Sequence, residues 1–385
     1  MKAASLRLLL SPLILIAASC GGSSAGDSAA HAEPSGAAHA QGFTVTPIAA
    51  FDEPWAMTFI PGTPYALITE KPGRLKLWQM NGPTREVAGV PRVAYGGQGG
   101  LADVQLAPDF AHSGTIYLSY AEAGSGGSGG ALARARLVLG LGAPRLDGLQ
   151  VIWRQQPKVS GELQYALRIA FSPDGKYLFV SSGDRFHPAH AQDFTSNLGK
   201  ILRLLPDGSP APGNPFASRG GVAAQFWTLG HRNPLGLKFD AAGRLWGLEH
   251  GPAGGDELNL IEPGKNYGWP IVSNGDNYDG TPIPRHSTHP EFAAPVVSWN
   301  PVIAPGDFIF CRGDKFPQWR GQALIAGLKT ESLIRVAFDG VHAREVGRTS
   351  FGHRLREIVE GADGSMWILE DGPGGRLLRL DPHSG

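Results

Sequence analysis

The sequence predicts an all-β fold built from six repeated units. Three observations carry that expectation. Glycine (54) and proline (31) make up an unusually large share of the 385 residues, and short β-type runs recur between turn signals. No strong helical spacing of apolar residues follows Ala18. One pattern also returns along the chain: an apolar pair, a Pro-Asp-Gly-like turn, then a short apolar strand.

The copies run in order. Residues 57–62 lead to 66–69, and 104–109 lead to 116–118. The clearest copy is 169–175 (IAFSPDG), leading to 177–180. A fourth joins 237–240 to 245–246, a fifth is placed at 323–327 with 333–336, and the last joins 358–364 to 366–369. Each unit has roughly 57 residues, enough for four short strands with turns and a long loop, so each reads as one blade of a six-bladed β-propeller.

Ahead of the repeats, residues 1–19 read as a lipoprotein-type signal peptide. A basic start (Lys2, Arg7) precedes the apolar run 8–18, which is too short to span a membrane as a helix. Ala17-Ala18-Ser19-Cys20 resembles a bacterial lipoprotein cleavage site, with Cys20 as the lipidated first residue; plain secretory cleavage near Ser19 is the alternative. Residue 21 is Gly and not Asp, which favours the outer membrane, so the expected location is periplasmic with membrane contact only through Cys20. Residues 20–41, rich in Ala, Gly, Ser and His, read as a flexible tether, and 42–385 as the propeller.

Charge excludes some classes. Lys+Arg and Asp+Glu are 34 each, so no electrostatic signature of nucleic-acid binding exists. With two Cys in all and Cys20 in the signal, Cys311 stands alone, which removes internal disulfides and thiolate metal sites. Two long segments, 183–215 and 273–301, read as functional loops, and the GSGGSGG run at 124–130 as a floppy hairpin tip.

The densest stretch is 227–270. His231, Arg232 and Asn233 enter a hairpin (235–239, 245–248), and His250, Gly251, Pro252, Asp256 and Glu257 leave it. Both loops share one end of the strand pair, so Arg232, Asn233, Asp256, Glu257 and free carbonyls of the Gly-Pro turn converge. That mixture suits an anionic ligand beside a hard cation such as calcium; a polar turn network closing a blade uses the same residues.

In this order the motifs GQGGL (97–101), SSGDR ending at Arg185, AQD (191–193), GKILRL (199–204), GHRNPLGL, EHGPAGGDELN, GKNYGWP and FPQWRG (316–321) resemble the soluble aldose sugar dehydrogenases that use pyrroloquinoline quinone (PQQ), the glucose/sorbosone dehydrogenase family. The resemblance runs from Pro54 to Leu380 and implies a six-bladed propeller. It implies a cofactor site of Arg232, Asn233, Lys329, Arg354 and Arg356, with Gln98 on the sugar side of the pocket. Backbone oxygens of Gly251 and Pro252 would hold a calcium ion on the quinone. The implied reaction is hydride transfer from an aldose or related alcohol to the quinone, with electrons passed to an unidentified acceptor.

One position departs. The family's general-base histidine, in a segment like HFGSR, is Gln164 here, in Gln164-Tyr165-Ala166-Leu167-Arg168. An amide does not accept a proton at neutral pH. Replacement bases available in the sequence are Glu162, His231 and His250. Two other readings stay open: a catalytically impaired propeller that binds PQQ or a glycan, and a lipoprotein envelope scaffold.

Overall fold

The computed structural model describes residues 42–140 and 142–383; the expected signal peptide and Cys20 lie outside them. Twenty-four strands, numbered in chain order, form six four-stranded antiparallel sheets among the described residues. The sheets stand around a ring, and the fold is the six-bladed β-propeller that the repeats predict.

Each blade opens on an inner strand: β2 (Pro54–Phe59), β6 (Leu101–Leu106), β10 (Ala166–Phe171), β14 (Pro234–Phe239), β18 (Pro305–Phe310) and β22 (Leu355–Glu360). Each inner strand neighbours the next, and β22 returns to β2. The ring closes through a shared blade: β1 (Phe43–Phe51) pairs with β24 (Gly375–Pro382), Phe43 opposite Pro382. Apolar clusters fill the wedges between blades, as where Trp78 and Phe59 meet the edge of Trp367.

Three expectations need correction. The fifth unit is displaced by one strand: its inner strand is β18, and residues 323–327 form the second strand of that blade. The turn there is replaced by Cys311 to Gln322, with a single 3-10 turn at Pro317–Trp319, so the Pro-Asp-Gly signal is missing. The segment 183–215 is not all loop, because Lys200–Leu204 is the third strand of its blade. The glycine run is mostly strand: β7 (Thr115–Gly124) and β8 (Gly127–Val138) pair up to Gly124 opposite Gly127, leaving a two-residue tip.

All six inner strands carry a register shift near their start, one extra residue against the second strand. Such a bulge re-aims neighbouring side chains. Here it separates two layers. Trp55, Ala102, Leu167, Leu235 and Arg356 line a cleft at one end of the axis. Asp103, Arg168 and Glu357, which follow three of them, and Asp307, which follows Gly306, are fully buried beneath it. Gly306 fills the fifth bulge; a Cβ there would lie 2.4 Å from the Arg356 carbonyl oxygen.

The buried layer is ionic. The Arg168 guanidinium lies 2.7 Å from Glu357, 3.6 Å from Asp307 and 3.9 Å from Asp103. It donates to the carbonyls of Leu235 and Gly306, at 2.7 and 2.9 Å, and stacks 4.0 Å from the Trp55 ring centre. Lys238 meets Asp307 at 2.8 Å. One side chain thus touches all five other blades.

Candidate functional site

The cleft over this plug has a volume of about 220 Å³. Its last-blade wall carries Arg354 and Arg356, both on Asp371, with Nε to carboxylate oxygen at 2.9 and 2.8 Å. Burial works to raise the Asp371 pKa, and Arg356 with Arg354 outweighs it, so Asp371 stays a carboxylate. On the first blade Lys71 meets Glu53 at 2.8 Å and donates to the Gly97 carbonyl at 3.1 Å. Lys329 follows cleft-lining Leu328, is exposed, and forms no side-chain ion pair or hydrogen bond among the described residues.

The HRN loop and the HGP turn meet as their hairpin predicts, since Pro234 pairs with Glu249. Arg232 is buried. It donates to the carbonyls of Gly251 (2.8 Å) and His250 (3.3 Å) and to the Tyr278 hydroxyl (3.0 Å). Its Nε is buried with no hydrogen-bond partner. Asn233 Oδ1 accepts from the Ala166 N–H at 3.1 Å, so its amide oxygen is committed to the neighbouring blade.

Behind this loop lies a buried carboxylate pair. Glu249 accepts from the Arg232 N–H and pairs with His231 Nδ1, both at 2.8 Å. Asn259 Nδ2 bridges Glu249 (3.2 Å) and Glu257 (3.3 Å). Burial, and then the nearby Glu249, push Glu257 well above the ordinary carboxylate range. Asp256 accepts from the N–H groups of Gly251, Ile303 and Ala304, so it fixes the turn and does not face the cleft. The expected convergence is therefore split: Arg232, Glu257, Gly251 and Pro252 line one small pocket, while Asp256 clamps the turn and Asn233 is bonded to the neighbouring blade.

Gln98 is exposed on the cleft rim, and its Oε1 accepts from the Gln164 N–H at 2.8 Å. Gln164 is 4% exposed and sits at φ 53°, followed by Ala166 at 59° and Leu167 at 76°. Three left-handed residues in four, none glycine, are strained backbone held by surrounding bonds. Gly183 lets the turn lie there, because a Cβ on it would sit 2.0 Å from the Gln164 carbonyl oxygen. Gln164 Oε1 accepts from the Phe186 N–H at 3.2 Å, and Asp184 Oδ1 accepts from the same N–H at 2.9 Å. Asp184 Oδ2 also accepts from the Trp269 indole at 2.7 Å. Burial raises the Asp184 pKa to about 6, against the pull of those hydrogen bonds.

Of the replacement bases, His231 is spent: its ring nitrogens meet Glu249 and Thr228, and it stacks on Tyr267. His250 lines the cleft with Nε2 2.7 Å from the Pro305 carbonyl, and Glu162 is exposed, its carbonyl accepting from the N–H of rim residue Gln98 at 2.7 Å. Asp184 is the group that sequence reasoning missed. It lies in the SSGDR motif, and the signal that could have found it is the 166–171/178–182 hairpin, whose pairing of Ala166 with Ser182 brings positions 164 and 184 to one end.

The profile of the Glucose / Sorbosone dehydrogenase family matches residues 51–379. The chain belongs to the glucose/sorbosone dehydrogenase family. Within it, the aldose sugar dehydrogenase of Escherichia coli is 39% identical over 343 residues, covering 86% of this chain and 91% of that protein. The apo-form crystal structure of soluble aldose sugar dehydrogenase from Escherichia coli superposes with a TM-score of 0.83 at 37% identity, over 89% of this chain and 100% of that one. The PQQ-bound aldose sugar dehydrogenase of Streptomyces coelicolor follows at 0.72 and 27%, over 89% and 98%. As a glucose/sorbosone dehydrogenase, this chain keeps the cations named from the resemblance at or beside one cleft, although Arg354 and Arg356 already share a carboxylate.

Proposed function

We propose that this glucose/sorbosone dehydrogenase is a PQQ- and calcium-dependent oxidoreductase that oxidises aldose sugars or related alcohols. The observation that carries the reading is the buried, unpartnered Nε of Arg232, in a small pocket that shares His250 with the cleft lined by Arg354 and Arg356, where Lys329 follows cleft-lining Leu328. PQQ bears three carboxylates, and guanidinium forks suit carboxylates. A buried donor without a partner is destabilising until a ligand oxygen meets it. When bound, PQQ supplies a two-electron acceptor for the hydride of the sugar's C1–H bond.

The protein's own part is to hold and orient the reactants and to take up the hydroxyl proton. Arg232, Lys329, Arg354 and Arg356 would hold the cofactor. Gln98 stands on the sugar side, fixed by its bond to the Gln164 backbone. Calcium fits in part. The Gly251 carbonyl accepts from Arg232, and Gly251 and Pro252 would give the ion two backbone oxygens in a small pocket that Glu249 and Glu257 also line, leaving most positions to ligand and water. The proton goes to a group other than Gln164. Asp184 is next to that side chain and is ionised above about pH 6.

The test is cofactor reconstitution with calcium, followed by dye reduction over a sugar panel. Quinone-dependent dye reduction by an aldose supports the reading. Tight PQQ binding without reduction by any sugar would make the protein the impaired binder, and absence of PQQ binding would make it a scaffold.

A further inference from the structure

Two motifs, AQD (191–193) and GKNYGWP, have no part in the cofactor reading, yet they converge on one side chain. Trp269 is half-buried where a loop of the third blade meets the fourth. Its backbone N–H donates to the Gly230 carbonyl at 3.0 Å, and its carbonyl accepts from Gln192 Nε2 at 2.7 Å. Gln192 and Asn266 exchange amide bonds, Nε2 to Asn266 Oδ1 at 3.1 Å and Asn266 Nδ2 to Gln192 Oε1 at 2.7 Å. Asn266 Oδ1 also accepts from the Gly268 N–H at 2.9 Å, which closes the turn just ahead of Trp269. Gly230 leaves room for this clasp, because a Cβ on it would lie 2.1 Å from Asn266 Oδ1.

So held, the indole touches both halves of the site. Its ring centre lies 5.3 Å from the Arg232 guanidinium, within reach of a cation–π contact. The two terminal nitrogens of Arg232 are committed to the His250 and Gly251 carbonyls and the Tyr278 hydroxyl, so with the ring alongside, Nε is the donor left for a ligand. The indole Nε1–H donates to Asp184 Oδ2 at 2.7 Å, a bond strengthened when that carboxylate is charged. Asp184 Oδ1 accepts from the Phe186 N–H that Gln164 also holds. Burial raises Asp184 against the pull of the Phe186 N–H, the indole and Arg232, and Glu249 adds to the rise. Gln164, Phe186 and Trp269 bring no charge to it, and the ring of nearby His187 is turned to the Ser160 carbonyl at 3.2 Å.

We propose that Trp269 is a positioning residue for the reaction: its ring holds the Arg232 guanidinium in place for the cofactor, and its indole N–H holds the Asp184 carboxylate against the Gln164 turn. One rigid side chain then fixes the spacing between a cofactor-binding cation on the fourth blade and an acid on the third. Gln192 acts one step further out, through the Trp269 carbonyl. A phenyl ring at position 269 keeps the contact with Arg232 and loses the bond to Asp184. An aliphatic side chain loses both. The effect on turnover rests on the oxidoreductase reading, but the indole–carboxylate bond exists without cofactor and is measured there.

The experiment starts from cofactor-free, nitrogen-15-labelled protein. NMR follows the Trp269 indole N–H, identified by its absence from Trp269→Phe, across the acid range. In the parent it should shift with a midpoint near 6, where Asp184 takes up its proton, and in Asp184→Asn it should stay flat. PQQ is then titrated calorimetrically into calcium-loaded parent, Trp269→Phe and Trp269→Leu, with melting temperatures to confirm folding. Trp269→Phe should bind PQQ within about threefold of the parent, and Trp269→Leu roughly tenfold more weakly. In dye reduction, the acid limb of kcat should move up by about one pH unit or more in Trp269→Phe, the scale of one lost bond to a charged group, with KM little changed. An indole that titrates with Asp184 in a protein that oxidises no sugar would support the positioning role of the bond and remove the oxidoreductase reading. An active enzyme whose indole signal ignores pH, or whose pH profile is the same in parent and Trp269→Phe, would overturn the proposal and leave the enzyme. Equal PQQ affinity in all three proteins would overturn the Arg232 half, and a lowered melting temperature with every rate reduced alike would make Trp269 a packing residue only.

Discussion

Arg168 reaches across the propeller axis to Glu357, guanidinium nitrogen to carboxylate oxygen at 2.7 Å, with neither group exposed to solvent. The pair joins the third blade to the sixth, and Asp103, Asp307 and the Trp55 face bring in others. Burial holds Glu357 well above the ordinary carboxylate range in spite of Arg168. Arg168→Ala removes the shared cation and leaves the carboxylates facing one another. The expected loss of stability is about 3–5 kcal/mol, the scale for breaking a buried pair from one side. Urea denaturation measures it; a loss below about 1 kcal/mol would mean that the axis is hydrated and the plug is dispensable.

Arg232→Ala and Lys329→Ala are each expected to weaken PQQ binding by about 1.5–3 kcal/mol, roughly ten- to a hundredfold, because each removes a charge-assisted contact. Calorimetric titration of calcium-loaded protein gives the number. Parent-like binding by both variants would move the cofactor away from this cleft.

Gln164→His is expected to raise aldose oxidation by at least about tenfold, a fraction of the usual contribution of a general base. The gain should follow an ionisation near pH 6–7, the ordinary histidine range, with PQQ occupancy unchanged. The imidazole can accept from the Phe186 N–H as the amide oxygen does now. If the parent already matches the variant, a base is in place, and Asp184→Asn should then lower turnover and remove its dependence on pH near 6.

Lys200 gives a pH effect on stability. It is fully buried, and donates to the carbonyls of His190 and Leu198 at 2.7 and 2.8 Å. Burial lowers its pKa from 10.5 to about 7. Between those values the unfolded chain holds the proton and the folded chain does not, so this contribution to stability grows as pH rises from about 7 towards 10.5. Below about 7 both states are charged and the burial penalty is complete. Melting temperatures of the parent and Lys200→Met across this window should differ in slope, with the parent rising relative to the variant. Parallel curves would show that the buried ammonium keeps its proton throughout.

Cys20→Ser tests the expected lipid anchor. The variant should leave the membrane fraction for the soluble periplasm. Retention on the membrane would point to another attachment.

Much of this architecture is legible in the sequence because it repeats. A turn signal that recurs five times marks inner strands, and the fifth blade hides its inner strand because the segment from Cys311 to Gln322 takes the signal's place. The hairpin between Arg232 and His250 is legible because strand pairing alone brings its two ends together. What pairing does not encode is side-chain direction across blades. Arg168 on Glu357 joins residues far apart in the chain through ring closure, and Tyr278 meets Arg232 through a long loop with no strand pairing to place it. Asp256 looked like a ligand-facing carboxylate and is a turn clamp, because three backbone N–H groups claim it first.

The pairing of β1 with β24 sets an order on folding. Phe43 is synthesised near the start of the fold and its partner Pro382 near the end. Until the last strand exists, β1 is an edge with nothing to bond, and the sixth blade is incomplete. Contacts this distant in sequence make closure slow and late. The last blade to be completed also carries Arg354, Arg356 and Asp371. A chain cut or stalled before Gly375 would therefore lack the lock of the ring and leave one wall of the cleft unsupported, so ligand-binding competence and completion of the chain arrive together.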